Sequence, residues 1–171
     1  MCIRDSAYAT LISFQIDKGS HGILVNGTTS EPSTLTIQER NEIVDVAVDV
    51  NQGRLPIVVA SGSQSLAETK ALSSYAEEAG ADAIKFQTYT AEKLTSKTAE
   101  GYGNIGTQSQ YEYYRQFDRF GRSEYDELFD HAREKGLVPF STPFDPENAQ
   151  MLNSVQVDLF KIASCDLLYT A

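Results

Sequence analysis

The chain has 171 residues, of which 41% are hydrophobic, enough for one substantial core. It contains no apolar run long enough to span a bilayer, and it is expected to be a cytoplasmic protein without a secretory leader. A formal net charge of −10 excludes the broad basic surfaces that bind nucleic acid or anionic membranes. Anionic ligands must therefore be held by a few local cations. Cys2 and Cys165 stand at opposite ends of the chain, with no CxxC or Cys/His spacing, so neither a disulfide framework nor a zinc site is expected.

The opening Met1 to Ser6 fits no helix or strand period and resembles a translated sequencing adapter, so it is set apart as an artefactual leader. From there a rhythm repeats: an amphipathic helix, a Gly or polar break, then a short apolar strand ending in small or polar residues. The expected strands are Gly22–Asn26, Pro56–Ala60, Asp82–Gln87, Val138–Thr142 and Leu159–Ser164. Thr36-Ile-Gln-Glu39 and Ser65-Leu-Ala-Glu68 read as capping boxes that start helices. Asp145-Pro146 reads as an N-cap followed by proline at the first helical position. Ala67, Ala71, Leu72, Tyr75, Ala76 and Ala79 form one apolar stripe, and Tyr125, Leu128, Phe129 and Ala132 another. One polar connection, Thr88 to Arg122, is long enough to be a lid or binding loop.

Strands that are apolar throughout and separated by single helices are buried on both faces, which implies a parallel sheet joined by right-handed crossovers. The fold class expected is α/β, a partial TIM-type (β/α) barrel of about five parallel strands with outer helices. A closed barrel usually takes roughly 250 residues, so this one is open or incomplete. Unclosed parallel edges invite aggregation or association with further copies, which leaves a homo-oligomer open.

Ligands of such sheets sit at the C-terminal ends of the strands. In Asp82-Ala-Ile-Lys-Phe-Gln87, alternation puts Lys85 on the face opposite Ile84 and Phe86, pointing inward, and Lys161 repeats the pattern in the last strand. Two ammonium groups on strands that are otherwise apolar need anionic partners, and together they suit a ligand with two anionic groups. Each lysine taken alone is equally well a snorkelling or ion-paired structural residue. The hydroxyls of Ser141, Thr142 and Ser164 are donors suited to phosphate oxygens. Asp145 reads as a cap, whereas Asp166 has no evident capping role and is a candidate acid or base.

These residues lie in Ala79-Gly-Ala-Asp-Ala-Ile-Lys-Phe-Gln-Thr88, Ser141-Thr-Pro-Phe-Asp145 and Lys161-Ile-Ala-Ser-Cys-Asp166. In that order and spacing they resemble the N-acetylneuraminate (sialic acid) synthase family. The resemblance implies condensation of phosphoenolpyruvate with an N-acylated amino sugar, release of phosphate, and a bound divalent metal, Mn or Mg. It places Lys85, Thr142, Lys161 and Ser164 on phosphoenolpyruvate, with Lys85 and Asp166 in catalytic positions. The ligands for that metal are not found in this chain, where His21 and His131 match no metal motif.

The first half differs. Gly22-Ile-Leu-Val-Asn-Gly-Thr-Thr-Ser-Glu31, Leu35-Thr-Ile-Gln-Glu-Arg40 and Arg54-Leu-Pro-Ile-Val-Val-Ala60 resemble the dihydrodipicolinate synthase/N-acetylneuraminate lyase family. That family implies a barrel aldolase that binds pyruvate as a Schiff base. Thr28 and Thr29 would be its carboxylate-binding and proton-relay positions, with Ser30 in place of a glycine; the same residues also read as a plain strand-end turn. The family's tyrosine motif and Schiff-base lysine do not appear in place.

The division expected is thus a leader over residues 1–6, a lyase-like segment over 7–78 and a truncated synthase-like segment over 79–171, together one structural domain. The resemblances meet at Ala76-Glu-Glu-Ala-Gly-Ala-Asp-Ala83, a phrase both families use, as a gene fusion or a mistaken assembly of two genes would produce. Three functions follow: a phosphoenolpyruvate-dependent synthase with an incomplete site, a pyruvate-dependent aldolase, or an anion-binding fragment without catalysis.

Overall fold

The computed structural model describes residues 3–63, 65–101 and 109–168. Residues 102–108 of the long connection, and Met1 and Cys2 of the expected leader, lie outside this range. The chain clusters into two compact units, one formed by 1–85 with 130–139 and the other by 86–129 with 140–171. The division falls within a strand, at Lys85 and Phe86, and not at the boundary between the two resemblances.

In the first unit, helix α1 (Ile3–Asp17) leads into strand β1 (Ile23–Val25), then α2 (Ile37–Asn51), β2 (Ile57–Ala60) and α3 (Leu66–Glu78). Ile3 to Ser6, set apart in the sequence as a leader, form the first turn of α1. None of these four residues is Gly or Pro, so nothing in them breaks a helix. Strand β3 (Ala83–Thr88) follows. The pairings are parallel, with Ile23 opposite Ile57, Val25 opposite Val59, Val58 opposite Ala83 and Ala60 opposite Lys85.

The capping box of α2 forms as expected: Glu39 N donates to Thr36 Oγ1 at 3.2 Å, and Thr36 N donates to Glu39 Oε2 at 2.9 Å. At α3 only half of the expected box is present, Glu68 N donating to Ser65 Oγ at 3.3 Å. The buried face of α3 is also rotated from the expected stripe. It consists of Thr69, Leu72, Ser73 and Ala76, while Ala67 and Ala71 are exposed. Thr69 and Ser73 can be buried because their hydroxyls donate to the carbonyls of Ser65 and Thr69 at 2.9 and 2.8 Å. Tyr75 turns aside to donate to Asp45 Oδ2 at 2.8 Å.

The second unit contains α4 (Ala91–Leu94), α5 (Gln110–Arg115) and α7 (Pro146–Ser154), and it shares α6 (Arg122–Glu134) and β4 (Val138–Pro143) with the first. The four strands follow the order β1-β2-β3-β4. The stripe expected on α6 is observed, with Tyr125, Leu128, Phe129 and Ala132 all buried and Phe129 stacked on Phe86 at 5.6 Å between ring centres. Gly80 and Gly136 end α3 and α6 with φ of +91° and +75°, a left-handed turn that lets the chain reverse within a few residues into β3 and β4. Asp145 caps α7 by accepting from Asn148 N at 2.9 Å, with Pro146 next in line.

The fifth strand is not formed. Around Leu159–Ser164 there is one parallel bridge, Ser141 to Phe160, with Lys161 N donating to Ser141 O at 3.0 Å, and a 3-10 turn over Ser164–Asp166. Leu159, Phe160 and Ile162 are 44%, 38% and 58% exposed. The segment therefore lacks the two-sided cover that a parallel strand requires.

Thr36→Ala should lower the unfolding free energy by about 1 kcal/mol, and Phe129→Ala by about 3–5 kcal/mol, both read from urea denaturation. A Phe129→Ala loss no larger than that of the cap would contradict the placement of Phe129 in the core.

Candidate functional site

Polar groups gather at the C-terminal ends of the strands in each unit. In the first unit, β1 is followed by Asn26, which is 4% exposed and adopts φ of +55°. Its Nδ2 donates to Arg40 O at 3.0 Å, while its Oδ1 has no hydrogen-bond partner among the described residues. Gly27, Thr28 and Thr29 follow in a tight turn, with both threonines exposed and Ser30 Oγ donating to Gly27 O at 2.6 Å. The turn thus presents two adjacent hydroxyls to solvent at a strand end.

Arg40, on α2, was not expected as a site residue. It is 5% exposed, and its Nη2 reaches the carbonyls of Ala60 and Gly62 at 3.3 and 3.4 Å. Glu68 lies 3.9 Å from Nη1, and Arg40 Nε is buried without a partner among the described residues. Burial lowers the guanidinium pKa, and the Glu68 carboxylate opposes that shift. The signal in the sequence was an arginine on the first turn of a capped helix, directly after the turn that ends β1. Lys85, expected to be buried on β3, is 5% exposed.

In the second unit, Thr142 is 1% exposed, and its hydroxyl has no hydrogen-bond partner among the described residues. Ser141, expected to serve a phosphate oxygen, is committed elsewhere: its Oγ lies 2.7 Å from Thr88 Oγ1. Alternation along β4 puts Ser141 and Thr142 on opposite faces, which explains the different fates of two adjacent hydroxyls. Tyr125 OH donates to Gln87 O at 2.7 Å on the Ser141 side.

Lys161 requires a correction. It was expected to be a second buried ammonium but is exposed, because its segment makes a single bridge and its side chain meets water. The pair of buried cations inferred from the sequence is therefore reduced to Lys85. Ser164 is exposed and Asp166 half-buried, both in the 3-10 turn that follows. No group of three His, Cys, Asp or Glu side chains that could hold a metal comes together among the described residues. His131 Nε2 is engaged by Ser74 Oγ at 3.1 Å. The residues described thus do not fit a divalent metal. Cys165 is a free, exposed thiol, and no described helix is long and apolar enough to cross a membrane.

Parallel strands, outer helices and polar strand ends define a (β/α)-barrel fold. Comparison with known proteins confirms this class. A dihydrodipicolinate synthase crystal structure superposes on 95% of this chain and 51% of its own, with a TM-score of 0.67 and 22% identity. The Escherichia coli K12 protein YagE, of the dihydrodipicolinic acid synthase family and solved with pyruvate, matches 92% of this chain and 48% of its own, with a TM-score of 0.62 and 20% identity. CdNal from Clostridium difficile, solved with mannosamine, matches 88% of this chain and 46% of its own, with a TM-score of 0.61 and 16% identity.

The chain belongs to two families at once, the NeuB family through residues 72–171 and the dihydrodipicolinate synthetase family through residues 2–93. The 4-hydroxy-tetrahydrodipicolinate synthase of Methylobacterium radiotolerans is 41% identical over 80 residues, which is 47% of this chain and 27% of that protein. The Nitrobacter hamburgensis enzyme of the same name is 39% identical over 82 residues, 48% of this chain and 28% of its own. The chain spans about a quarter of the length of these relatives.

Burial pushes the Tyr125 hydroxyl up to about 12, and it also raises that of Tyr89. A phenol that ionises at 10 when unfolded and near 12 when folded supports the fold fully below pH 10. That support is lost as the pH rises through this window, by about 2–3 kcal/mol in all. Urea midpoints should fall between pH 10 and 12, and they should fall less steeply in Tyr125→Phe; equal slopes would contradict the assignment.

Proposed function

We propose that the chain belongs to a carbon–carbon lyase or synthase acting on a pyruvate unit, and that the aldolase reading comes first. The observation that carries it is the Gly27-Thr28-Thr29 turn at the end of β1, inside residues 2–93, which match the dihydrodipicolinate synthetase family. The two exposed hydroxyls and the backbone N–H groups of the turn are donors for a carboxylate. In this reading Thr28 holds the carboxylate of pyruvate and Thr29 passes a proton. No lysine is assigned to a Schiff base. Titration calorimetry of the full chain with pyruvate should show saturable binding, weakened about 5- to 10-fold in Thr28→Val and Thr29→Val, the loss of one hydrogen bond. Absence of saturable heat with the native chain would reject the reading.

A second reading is favoured by one observation, the buried Thr142 hydroxyl near the end of β4, which has no partner among the described residues and lies in the part that belongs to the NeuB family. A buried hydroxyl is expected to be hydrogen-bonded, and a ligand oxygen would satisfy it. Here phosphoenolpyruvate condenses with an N-acylated amino sugar and phosphate is released. Thr142, Lys161 and Ser164 supply donors to the anionic groups, and Asp166 serves as acid or base. Lys85 enters by its motif alone. Phosphate release from phosphoenolpyruvate with N-acetylmannosamine should fall about 10-fold or more in Lys161→Ala and Thr142→Val, as charge-assisted donors are lost. Saturable binding of phosphoenolpyruvate without any release would mark the chain as an anion-binding fragment.

A further inference from the structure

The geometry points to Thr88 as a positioning residue for Thr142 and Lys161, an inference that rests on the synthase reading of those two residues. Thr88 closes β3 and is 1% exposed. Its Oγ1 lies 2.7 Å from Ser141 Oγ, and its carbonyl accepts from Phe144 N at 3.1 Å. Tyr125 supports the same point from α6, its hydroxyl donating to Gln87 O at 2.7 Å and hydrogen-bonding the Thr88 side chain.

Ser141 stands at the centre of what this bond holds. It is fully buried, its carbonyl accepts from Lys161 N at 3.0 Å, and it forms the one bridge to Phe160. The next residue is Thr142, on the opposite face of the strand. Alternation likewise puts Thr88 on the face opposite Lys85 and Gln87, so Thr88 touches no ligand bound on that side. Any effect of Thr88 on binding must pass through β4. Removing its hydroxyl leaves Ser141 Oγ buried without this partner, and a shift of Ser141 to regain a hydrogen bond moves the carbonyl that accepts from Lys161 N.

The test uses the full chain labelled with nitrogen-15, with two readouts: amide exchange of Lys161 and affinity for phosphoenolpyruvate. Thr88→Val keeps the side-chain volume and should speed Lys161 exchange about 10-fold and weaken phosphoenolpyruvate binding about 5- to 10-fold, the scale of one buried hydrogen bond. Thr88→Ser, which restores the hydroxyl, should recover both. Ser141→Ala removes the same bond from the other side, and its effect should not add to that of Thr88→Val. Unchanged Lys161 exchange in Thr88→Val overturns the inference, as does a failure of Thr88→Ser to recover it. If Thr88→Val does not fold, Ser141→Ala decides by the same two readouts. If exchange responds as expected while the native chain binds no phosphoenolpyruvate, the synthase reading fails and the positioning of Lys161 stands.

Discussion

A parallel strand must be covered on both faces, and the rest of this structure follows from that requirement. Each strand is reached by a helix that returns along the sheet, and each return needs a sharp reversal at the helix end. Gly80 and Gly136 supply it with left-handed backbone, which delivers β3 and β4 directly from α3 and α6. Where cover is missing, the strand is not formed. Leu159 to Ser164 has the composition of a strand and only a single bridge.

The same requirement concentrates chemistry at the strand ends. Inside the sheet the backbone is committed to the strand ladder and the core face packs against helices, so polar side chains collect where the strands stop. Two kinds of polar residue result. Ser141, Thr88 and Tyr125 satisfy one another, whereas Thr142 Oγ1, Asn26 Oδ1 and Arg40 Nε are buried without partners among the described residues. The first kind holds strands in place, and the second is what a ligand or water would complete.

Two families meet in one fold here. Their residue patterns differ, yet both lie on one run of alternating β and α units. The two family matches overlap over residues 72–93, where Leu72 and Ala76 of α3 are buried and Ala83 and Ile84 of β3 pair onto β2. The named relatives match the dihydrodipicolinate synthetase side, while Thr142, whose hydroxyl has no partner among the described residues, lies in the part that matches the NeuB family.

Sequence alone determined the fold class, four of the strands, the caps at Thr36 and Asp145, the buried stripe of α6 and the burial of Lys85, because each depends on local periodicity or on a side chain bonding within its own turn. It could not determine which of two adjacent hydroxyls would be free, that Arg40 would be buried, or that Lys161 would meet water. Those outcomes depend on neighbours distant in the chain. Ser141 is taken because Thr88, 53 positions earlier, arrives beside it. Arg40 is buried because the end of β2 reaches it from 20 positions away. Lys161 is exposed because a strand pattern becomes a strand only when other strands and helices cover it, and that is a property of the assembled sheet.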